Sequence, residues 1–328
     1  MLLFTTFPSW INASIIPGLP FRWYGLMYVL AFITAYALFR VQAKEGAIKM
    51  NADETQTLFM FGIIFLLLGA RLFSVLIYDG TTYYWTHPWL IFWPFKNGQF
   101  IGLPGMSYHG GLVGAILGAF IYSKKYKRSF FKIADIVAAC APLGYTFGRM
   151  GNFINAELWG RVTTSSIGMI FPNAERFSTN YEWVRNMADK LGIAYSDGSM
   201  VNLPRHPSQL YEAFFEGIVL FLFLWFIIRK KSDRKYPGFV LSWYLIGYGV
   251  IRFFIEYFRE PDSNLGFIIQ MNKNFSNPAL LQSYLNISMG QIFCFLMILA
   301  GVALSMIMKH HSKKVTVQVK SKKRKNKI

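Results

Sequence analysis

The sequence has only two cysteines, Cys140 and Cys294, and both lie in apolar runs. This placement is typical of small buried side chains and excludes a disulfide framework. Metal-ligand spacings, glycine-rich nucleotide loops and dinucleotide fingerprints are also missing. Residues 1–16 have no basic stretch and include Pro8 and Trp10, so they do not resemble a cleavable signal peptide. We therefore expect no metal ion and no soluble cofactor.

Acidic residues are scarce as well: the 328 residues include 16 aspartates and glutamates against 34 lysines and arginines. Hydrophobic residues make up 54% of the chain and aromatic residues 18%, and the mean hydropathy is +0.32. A soluble domain does not need so many apolar residues, so the composition indicates an integral membrane protein.

Seven apolar segments predict an all-α integral membrane protein with seven transmembrane helices. They cover residues 24–39, 57–78, 110–122, 133–147, 210–228, 239–258 and 289–308. The loops after the first, third and fifth segments, together with the C-terminal tail, carry 22 of the 34 basic residues, and the opposite side carries 9. By the positive-inside rule, the N-terminus faces outward and the C-terminus faces the cytoplasm. This distribution explains the net charge of +18 without nucleic-acid binding.

The polar parts of the chain predict its domain organisation. Residues 1–308 form the membrane domain, and a mixed-charge insertion at about 161–205 forms a small outward head, too short for an independent core. Residues 309–328 form a basic cytoplasmic tail, which we expect to be attracted to anionic lipid.

The densest polar cluster follows the fourth apolar segment, in residues 148–160. Arg149, Asn152, Asn155 and Glu157 fall within nine residues there, and the first three sweep an arc of about 120° on a helix. A guanidinium group can bind a phosphate through two parallel hydrogen bonds, and amides add neutral hydrogen bonds around it. The alternative is a polar helix end that caps the segment, but a cap needs one or two polar side chains rather than four.

Other charged residues lie at membrane depth, where they must be paired or face a polar cavity. Arg71 in the second segment would cost about 2.5–3.5 kcal/mol on insertion. The fifth and sixth segments each carry a polar stripe at helical spacing: His206, Gln209, Glu212 and Glu216 in one, and Tyr244, Tyr248, Arg252, Glu256 and Glu260 in the other. Arg252 and Glu256 are one turn apart, so we expect them to interact. We predict that both stripes and the cluster at 148–160 line one polar cavity, the functional site.

Two residues at the outer boundary have alternative interpretations. Tyr24 lies in an Arg-Trp-Tyr-Gly motif and is either part of an interfacial aromatic belt or a functional residue. His109 precedes three glycines spaced by four, Gly110, Gly114 and Gly118, whose spacing favours close helix packing. The histidine itself is either structural or an acid–base group.

Residues 148–160 resemble the signature of the prolipoprotein diacylglyceryl transferase family, Gly-Arg-x-Gly-Asn-Phe-x-Asn-x-Glu-x-x-Gly, and all eight fixed positions match. The resemblance extends over nearly the whole chain, through Arg22-Trp23-Tyr24-Gly25, Gly69-Ala70-Arg71, His109-Gly110-Gly111, Asp135, His206-Pro207-Ser208-Gln209-Leu210-Tyr211-Glu212, Arg252-Phe253-Phe254-Ile255-Glu256 and Arg259-Glu260-Pro261-Asp262. The tail after Lys309 is longer than the family pattern requires, and it contains no site residue.

This resemblance implies seven transmembrane helices in the bacterial inner membrane, a periplasmic head and the first step of lipoprotein maturation. In that step a diacylglyceryl group moves from phosphatidylglycerol to the thiol of the lipobox cysteine, and glycerol phosphate is released. The implied partners are phosphatidylglycerol, prolipoprotein signal peptides with a lipobox cysteine, and membrane lipids, but not nucleic acid. The implied catalytic residues are His109 as the candidate base, Arg149 and Arg252 on the phosphate, and Tyr24. The predicted substrate-binding residues are Arg149, Asn152, Asn155, Glu157, Gly160, Arg71, Tyr248, Glu256, His206 and Glu212.

Two other functional classes fit parts of the pattern. A transporter or flippase for an anionic phospholipid would also use arginines and acids within the membrane. Its sequence often shows paired halves with repeated broken segments, and this chain has none. A structural scaffold would not explain so many charges at membrane depth.

The predicted orientation leads to a labelling experiment. A cysteine introduced at Ser196 in the head should react with a membrane-impermeant thiol reagent in intact cells, because the basic loops leave the head outside. Cysteines introduced in residues 124–132 or in the tail should react only after lysis. Labelling of the tail in intact cells would contradict this orientation.

Overall fold

The computed structural model describes residues 4–16, 22–96, 98–102, 105–234, 236–261, 267–270, 279–281 and 283–325. The chain is mostly helical. Its helices are α1 (Trp23–Lys44), α2 (Ala52–Phe73), α3 (Tyr83–Thr86), α4 (Tyr108–Lys125), α5 (Phe130–Ile154), α6 (Glu182–Leu191), α7 (Ser208–Lys231), α8 (Phe239–Ile255) and α9 (Met289–Lys325). A π-helical turn, Ser74–Tyr78, continues α2, and a 3-10 turn covers Pro88–Phe92.

Eight strands of two or three residues form four pairs in the described ranges. Strand β1 (Thr5–Thr6) is parallel to β4 (Met169–Ile170), while β2 (Phe95–Lys96) with β3 (Gln99–Phe100), β5 (Phe177–Ser178) with β6 (Met200–Val201), and β7 (Phe267–Ile269) with β8 (Ile287–Ser288) are antiparallel. The sequence analysis predicted no strands, because elements this short carry no readable alternation of polar and apolar residues.

Five helices in the described part of the chain are long and apolar enough to cross a membrane: Trp23–Lys44, Ala52–Tyr78, Phe130–Ile154, Ser208–Lys231 and Met289–Lys314. The other two predicted segments also form helices, α4 with 18 residues and α8 with 17. The protein is therefore a multi-pass helical membrane protein. The number of seven spans and the orientation of the termini stay predictions.

Contacts divide the chain into two compact units, residues 1–35 with 137–328 and residues 36–136. In the smaller unit, an apolar cluster that includes Phe39, Leu58, Tyr122 and Ile133 forms a core. Helices α2 and α4 pack through glycines, since a Cβ at Gly118 would lie 2.7 Å from the carbonyl oxygen of Phe61. Cβ atoms at Gly110 and Gly114 would meet the α2 backbone more closely still. The close packing predicted from the glycine spacing is confirmed.

In the larger unit, α7 is not a regular α-helix: Glu212–Val219 and Phe223–Ile228 are π-helical. A π-helical turn changes the partners of backbone carbonyl groups, and inserted side chains stabilise such turns. The hydroxyl of Thr146 on α5 donates to the carbonyl oxygen of Ala213 at 3.3 Å. A Cβ at Gly217 would collide with the same threonine, so glycine allows the two helices to approach.

The insertion at 161–205 contains β4, β5, α6 and β6 around a small apolar core. Val162, Val184, Ala188, Val201 and Leu203 form this core together with Ala279, which lies outside the insertion. Ala279 thus contributes to this core from outside the insertion, and the assignment of the insertion as an outward head stays a prediction.

Helix α9 does not end with the predicted apolar segment at residue 308 but continues to Lys325. Residues 326–328 of the predicted tail lie outside the described residues, as do Asp262 and Lys273. Lysines favour helix continuation in the absence of a proline or glycine stop signal, and the sequence from 309 to 325 contains neither.

Candidate active site

The polar cluster predicted at 148–160 begins in the last two turns of α5 and continues past the end of the helix at Ile154. The chain then reverses through Ala156 and Leu158, whose φ angles of 51° and 56° lie in the left-handed region. This reversal brings Glu157 back towards the helix. Nδ2 of Asn152 donates to Oε1 of Glu157 at 2.8 Å, and Nδ2 of Asn155 donates to the same oxygen at 3.5 Å.

The carboxylate of Glu212, on the first turns of α7, lies at the centre of the ion network. Its side chain is 0% exposed. Oε2 lies 2.8 Å from Nε of Arg149 and 2.9 Å from Nη1 of Arg252, and Oε1 lies 2.9 Å from Nη1 of Arg259. The hydroxyl of Tyr145 donates to Oε2 at 3.2 Å. Three guanidinium groups and a phenol therefore surround one buried carboxylate.

Arg252 connects this carboxylate to two others. Its Nη1 lies 3.5 Å from Oε1 of Glu216, and its Nη2 lies 3.1 Å from Oε2 of Glu256. The contact expected from the spacing of Arg252 and Glu256 is thus present. Glu256 also lies 3.7 Å from Nε of Arg259. The network therefore contains as many guanidinium groups as carboxylates.

The accessible side of the network is cationic. Side chains of Arg149, Arg252 and Arg259 retain 17%, 15% and 17% exposure, whereas Glu212 and Glu216 have none. A ligand that reaches the network therefore meets guanidinium groups first, and the carboxylates behind them fix their orientation. Such an arrangement suits a phosphate, which accepts charge-assisted hydrogen bonds.

Tyr145 fixes Arg149 in two ways. Nε of Arg149 donates to the tyrosine hydroxyl at 2.6 Å, and the guanidinium carbon lies 4.8 Å from the centre of the tyrosine ring. Nη1 of Arg149 donates to Oδ1 of Asn152 at 3.3 Å, which connects the arginine to the amide cluster. Tyr248 packs edge-on against Tyr145 at 5.9 Å between ring centres.

Gly160 and His206 form the outer edge of this region. The Gly160 amide donates to the carbonyl oxygen of His206 at 2.8 Å, and a Cβ at this position would collide with the carbonyl oxygen of Phe258. Only glycine fits at such a close backbone approach. Burial, together with the nearby positive charge of Arg161, lowers the pKa of His206 to about 4. His206 is therefore neutral at pH 7 and a weaker base than an ordinary histidine.

Two buried amide oxygens near Glu157 have no hydrogen-bond partner among the described residues, Oδ1 of Asn155 and Oε1 of Gln209. The Gln209 amide nitrogen donates to the Glu157 carbonyl oxygen at 2.5 Å, so its oxygen is left as an acceptor. Buried acceptors normally have partners. These two oxygens are suited to accept hydrogen bonds from the hydroxyl groups of a ligand.

Tyr24 lies beside the glycine of the cluster, since a Cβ at Gly151 would be 3.0 Å from its Cδ2. Its hydroxyl lies 3.2 Å from that of Tyr28. The last two predicted site residues belong to the smaller unit. Nε of Arg71, which is buried, donates to the Ile91 carbonyl oxygen at 2.5 Å, and Nδ1 of exposed His109 lies 3.1 Å from the hydroxyl of Tyr78.

A sequence model of the family described as "Prolipoprotein diacylglyceryl transferase" matches residues 11–307. The chain belongs to the prolipoprotein diacylglyceryl transferase family.

Relatives in this family match over nearly the full length. The phosphatidylglycerol--prolipoprotein diacylglyceryl transferase of Treponema denticola is 51% identical, over 96% of this chain and 97% of that protein. Proteins of the same name from Treponema pallidum and Chlorobaculum tepidum are 50% and 40% identical, over 92% and 98% of this chain and 94% and 100% of those proteins.

Three residues of the network in this diacylglyceryl transferase family member were not predicted as site residues: Tyr145, Arg259 and Glu216. Tyr145 lies one helical turn before Arg149, and Arg259 lies three residues after Glu256, so the helical spacing from a predicted residue was the available signal. Glu216 lay in a stripe predicted to line the cavity, but it was not among the predicted catalytic or substrate-binding residues. From the sequence alone, none of these three residues could be distinguished from an ordinary interfacial or structural residue.

Replacement of Tyr145 by phenylalanine tests its position in the network. We expect transferase turnover to fall at least tenfold, because the variant loses two hydrogen bonds to charged groups, each worth about 1.5–3 kcal/mol, and about 1.4 kcal/mol corresponds to a factor of ten in rate. Turnover of the purified protein is the measurement, with thermal unfolding as the check on folding. Tyr122→Phe is the matched control, since the buried Tyr122 hydroxyl donates to the Glu54 carbonyl oxygen at 2.9 Å in the smaller unit. Equal turnover in both variants would contradict the assignment.

Proposed function

We propose that the protein transfers the diacylglyceryl group of phosphatidylglycerol to the lipobox cysteine of prolipoproteins, the first step of lipoprotein maturation. The sulfur forms a bond to the glyceryl carbon, the bond from that carbon to the phosphate oxygen breaks, and the thiol proton is lost. The products are a thioether and glycerol phosphate. The family match over residues 11–307 supports the reaction, and the arginine network is the observation that carries its mechanism.

The leaving group explains why the reaction needs this network. A phosphodiester with one negative charge becomes a phosphomonoester, which carries about −1.5 to −2 at pH 7. Preorganised donors aimed at developing charge are the largest single contribution in many enzymes. Arg149 and Arg252 are the proposed phosphate ligands, because buried Glu212 fixes both within 2.9 Å while their own side chains keep some exposure.

The headgroup of phosphatidylglycerol also suits the amide cluster. Its glycerol carries hydroxyl donors, and Oδ1 of Asn155 and Oε1 of Gln209 are buried acceptors without partners among the described residues. Asn152 and Glu157 shape the same region through their 2.8 Å hydrogen bond. We therefore assign the cluster at 148–160 to the polar headgroup.

The attacking thiol has an ordinary pKa of about 8.5 and is mostly protonated at neutral pH. A base or a positive field must therefore favour the thiolate. His109 stays the predicted base, and its Nδ1 lies 3.1 Å from the hydroxyl of Tyr78. His206 is a poor alternative because burial lowers its pKa to about 4.

We assign the protein to the bacterial inner membrane, with seven spans, the N-terminus and the head in the periplasm and the C-terminus in the cytoplasm. The distribution of basic residues supports this orientation. The ion network supports a site near the periplasmic side, because Gly160 and Arg259, at its edge, pair as a β-bridge next to the head.

The test combines purified protein with phosphatidylglycerol and a peptide that contains a lipobox cysteine. We expect a thioether-linked lipid product together with glycerol phosphate, detected by mass spectrometry. Arg149→Lys should lower turnover at least a hundredfold, because lysine provides a point charge instead of two parallel donors.

The control is Arg185→Lys in the head, where Nη1 donates to the carbonyl oxygen of Thr179 at 2.6 Å. It should keep wild-type turnover. Lipid translocation without a thioether product would instead favour the flippase, and full activity of a folded Arg149→Lys protein would remove Arg149 from the mechanism.

A further inference from the structure

The start of α9 is fixed by a reciprocal pair of hydrogen bonds. The Gln291 amide donates to Oγ of Ser288 at 3.2 Å, and the Ser288 amide donates to Oε1 of Gln291 at 3.0 Å. This is the capping box expected of a Ser-x-x-Gln sequence at a helix N-terminus. Nε2 of Gln291 also donates to the Phe253 carbonyl oxygen at 3.4 Å, which attaches the cap to α8.

The same serine reaches the ion network. Its hydroxyl lies 3.2 Å from Oε1 of Glu256, to which it donates. A hydroxyl has one proton and two acceptor sites, so Ser288 can cap the helix as acceptor and bind the carboxylate as donor at once. Both residues are buried, with 1% exposure for Ser288 and 6% for Glu256, so water does not replace this bond.

Gly290 brings the first turn of α9 against the same carboxylate. A Cβ at this position would lie 2.5 Å from Oε1 of Glu256 and 2.8 Å from its carboxyl carbon. The amide groups of a first helical turn carry partial positive charge, which favours a carboxylate there. Any larger side chain at residue 290 would displace the carboxylate or the helix.

The two oxygens of Glu256 therefore have separate partners. Oε1 faces Ser288 and the first turn of α9, while Oε2 lies 3.1 Å from Nη2 of Arg252 and 3.7 Å from Nε of Arg259. Because both oxygens belong to one rigid carboxylate group, a shift of α9 that moves Oε1 also changes the contact of Oε2 with Nη2 of Arg252. Catalytic geometry tolerates little displacement of this kind.

We propose that Ser288 and Gly290 are positioning residues for the transfer reaction: they fix Glu256, and through it Arg252, in the orientation that binds the leaving phosphate. This inference rests on the proposed function. It gives the Ser-Met-Gly-Gln turn a role in catalysis in addition to its role as a helix cap. A cap with a purely structural role would affect stability without any dependence on Glu256.

A double-mutant cycle separates the two roles. Ser288→Ala, Glu256→Gln and the double variant are assayed for kcat and for KM with phosphatidylglycerol. We expect Ser288→Ala to lower kcat about tenfold in the wild-type background and less than about twofold in the Glu256→Gln background, because the serine acts through the carboxylate. Ser288→Thr, which keeps the hydroxyl, should restore most of the activity.

Ser242→Ala is the matched control. Ser242 is also buried in the α8–α9 pair, but its hydroxyl donates to the Gly238 carbonyl oxygen of its own helix at 2.7 Å. It should leave kcat unchanged. Gly290→Ala provides a second test on the same carboxylate if Ser288→Ala does not fold, and its effect should likewise shrink in the Glu256→Gln background.

The positioning role would be overturned if Ser288→Ala lowered kcat by the same factor in the wild-type and Glu256→Gln backgrounds. Wild-type kcat in Ser288→Ala would overturn it as well. Absence of any thioether product from the wild-type protein would contradict the proposed function instead, so the two failures are distinguishable.

Discussion

One buried carboxylate, that of Glu212, bonds guanidinium groups from separate parts of the chain. Arg149 comes from the end of α5, Arg252 from the last turn of α8 and Arg259 from the segment after it. A buried carboxylate costs several kcal/mol unless its partners are well placed, and the removal of one partner leaves an uncompensated charge. The fold of the larger unit therefore depends on these elements meeting at Glu212. The same contacts fix the orientation of the arginines that we propose as phosphate ligands.

The two sides of this network differ in charge and in their exposure to a ligand. The carboxylates face the protein interior and fix the guanidinium groups, whose accessible parts remain available to an anion. Further hydrogen bonds fix the charged side chains of the network. Arg149 donates to the hydroxyl of Tyr145 and to the side chain of Asn152 in the amide cluster, and Ser288 in the cap of α9 donates to Glu256. In the proposed reaction, donors that are fixed before the substrate arrives need little reorganisation as negative charge develops on the leaving phosphate.

Hydropathy and helical spacing predicted the parts of this architecture that depend on local sequence. All seven apolar segments are helical, and the contact between Arg252 and Glu256 follows from their spacing of four. The π-helical turn at Glu212–Val219 was not predictable from local sequence, because Thr146, which donates to the carbonyl oxygen of Ala213, lies on another helix. The contact of Arg259 with Glu212 and that of Ser288 with Glu256 were missed for the same reason: the two partners are distant in sequence and lie on different elements.

The most direct test of this account is the replacement of Glu212 by glutamine, which keeps the shape of the side chain and removes its charge. We predict that the folded variant loses about a hundredfold in kcat, because the three arginines lose the carboxylate that they share. KM for phosphatidylglycerol should not rise, since the network gains a net positive charge. Thermal unfolding of the purified variant shows whether the membrane domain is intact. A folded Glu212→Gln protein with wild-type kcat would contradict the central role of this carboxylate.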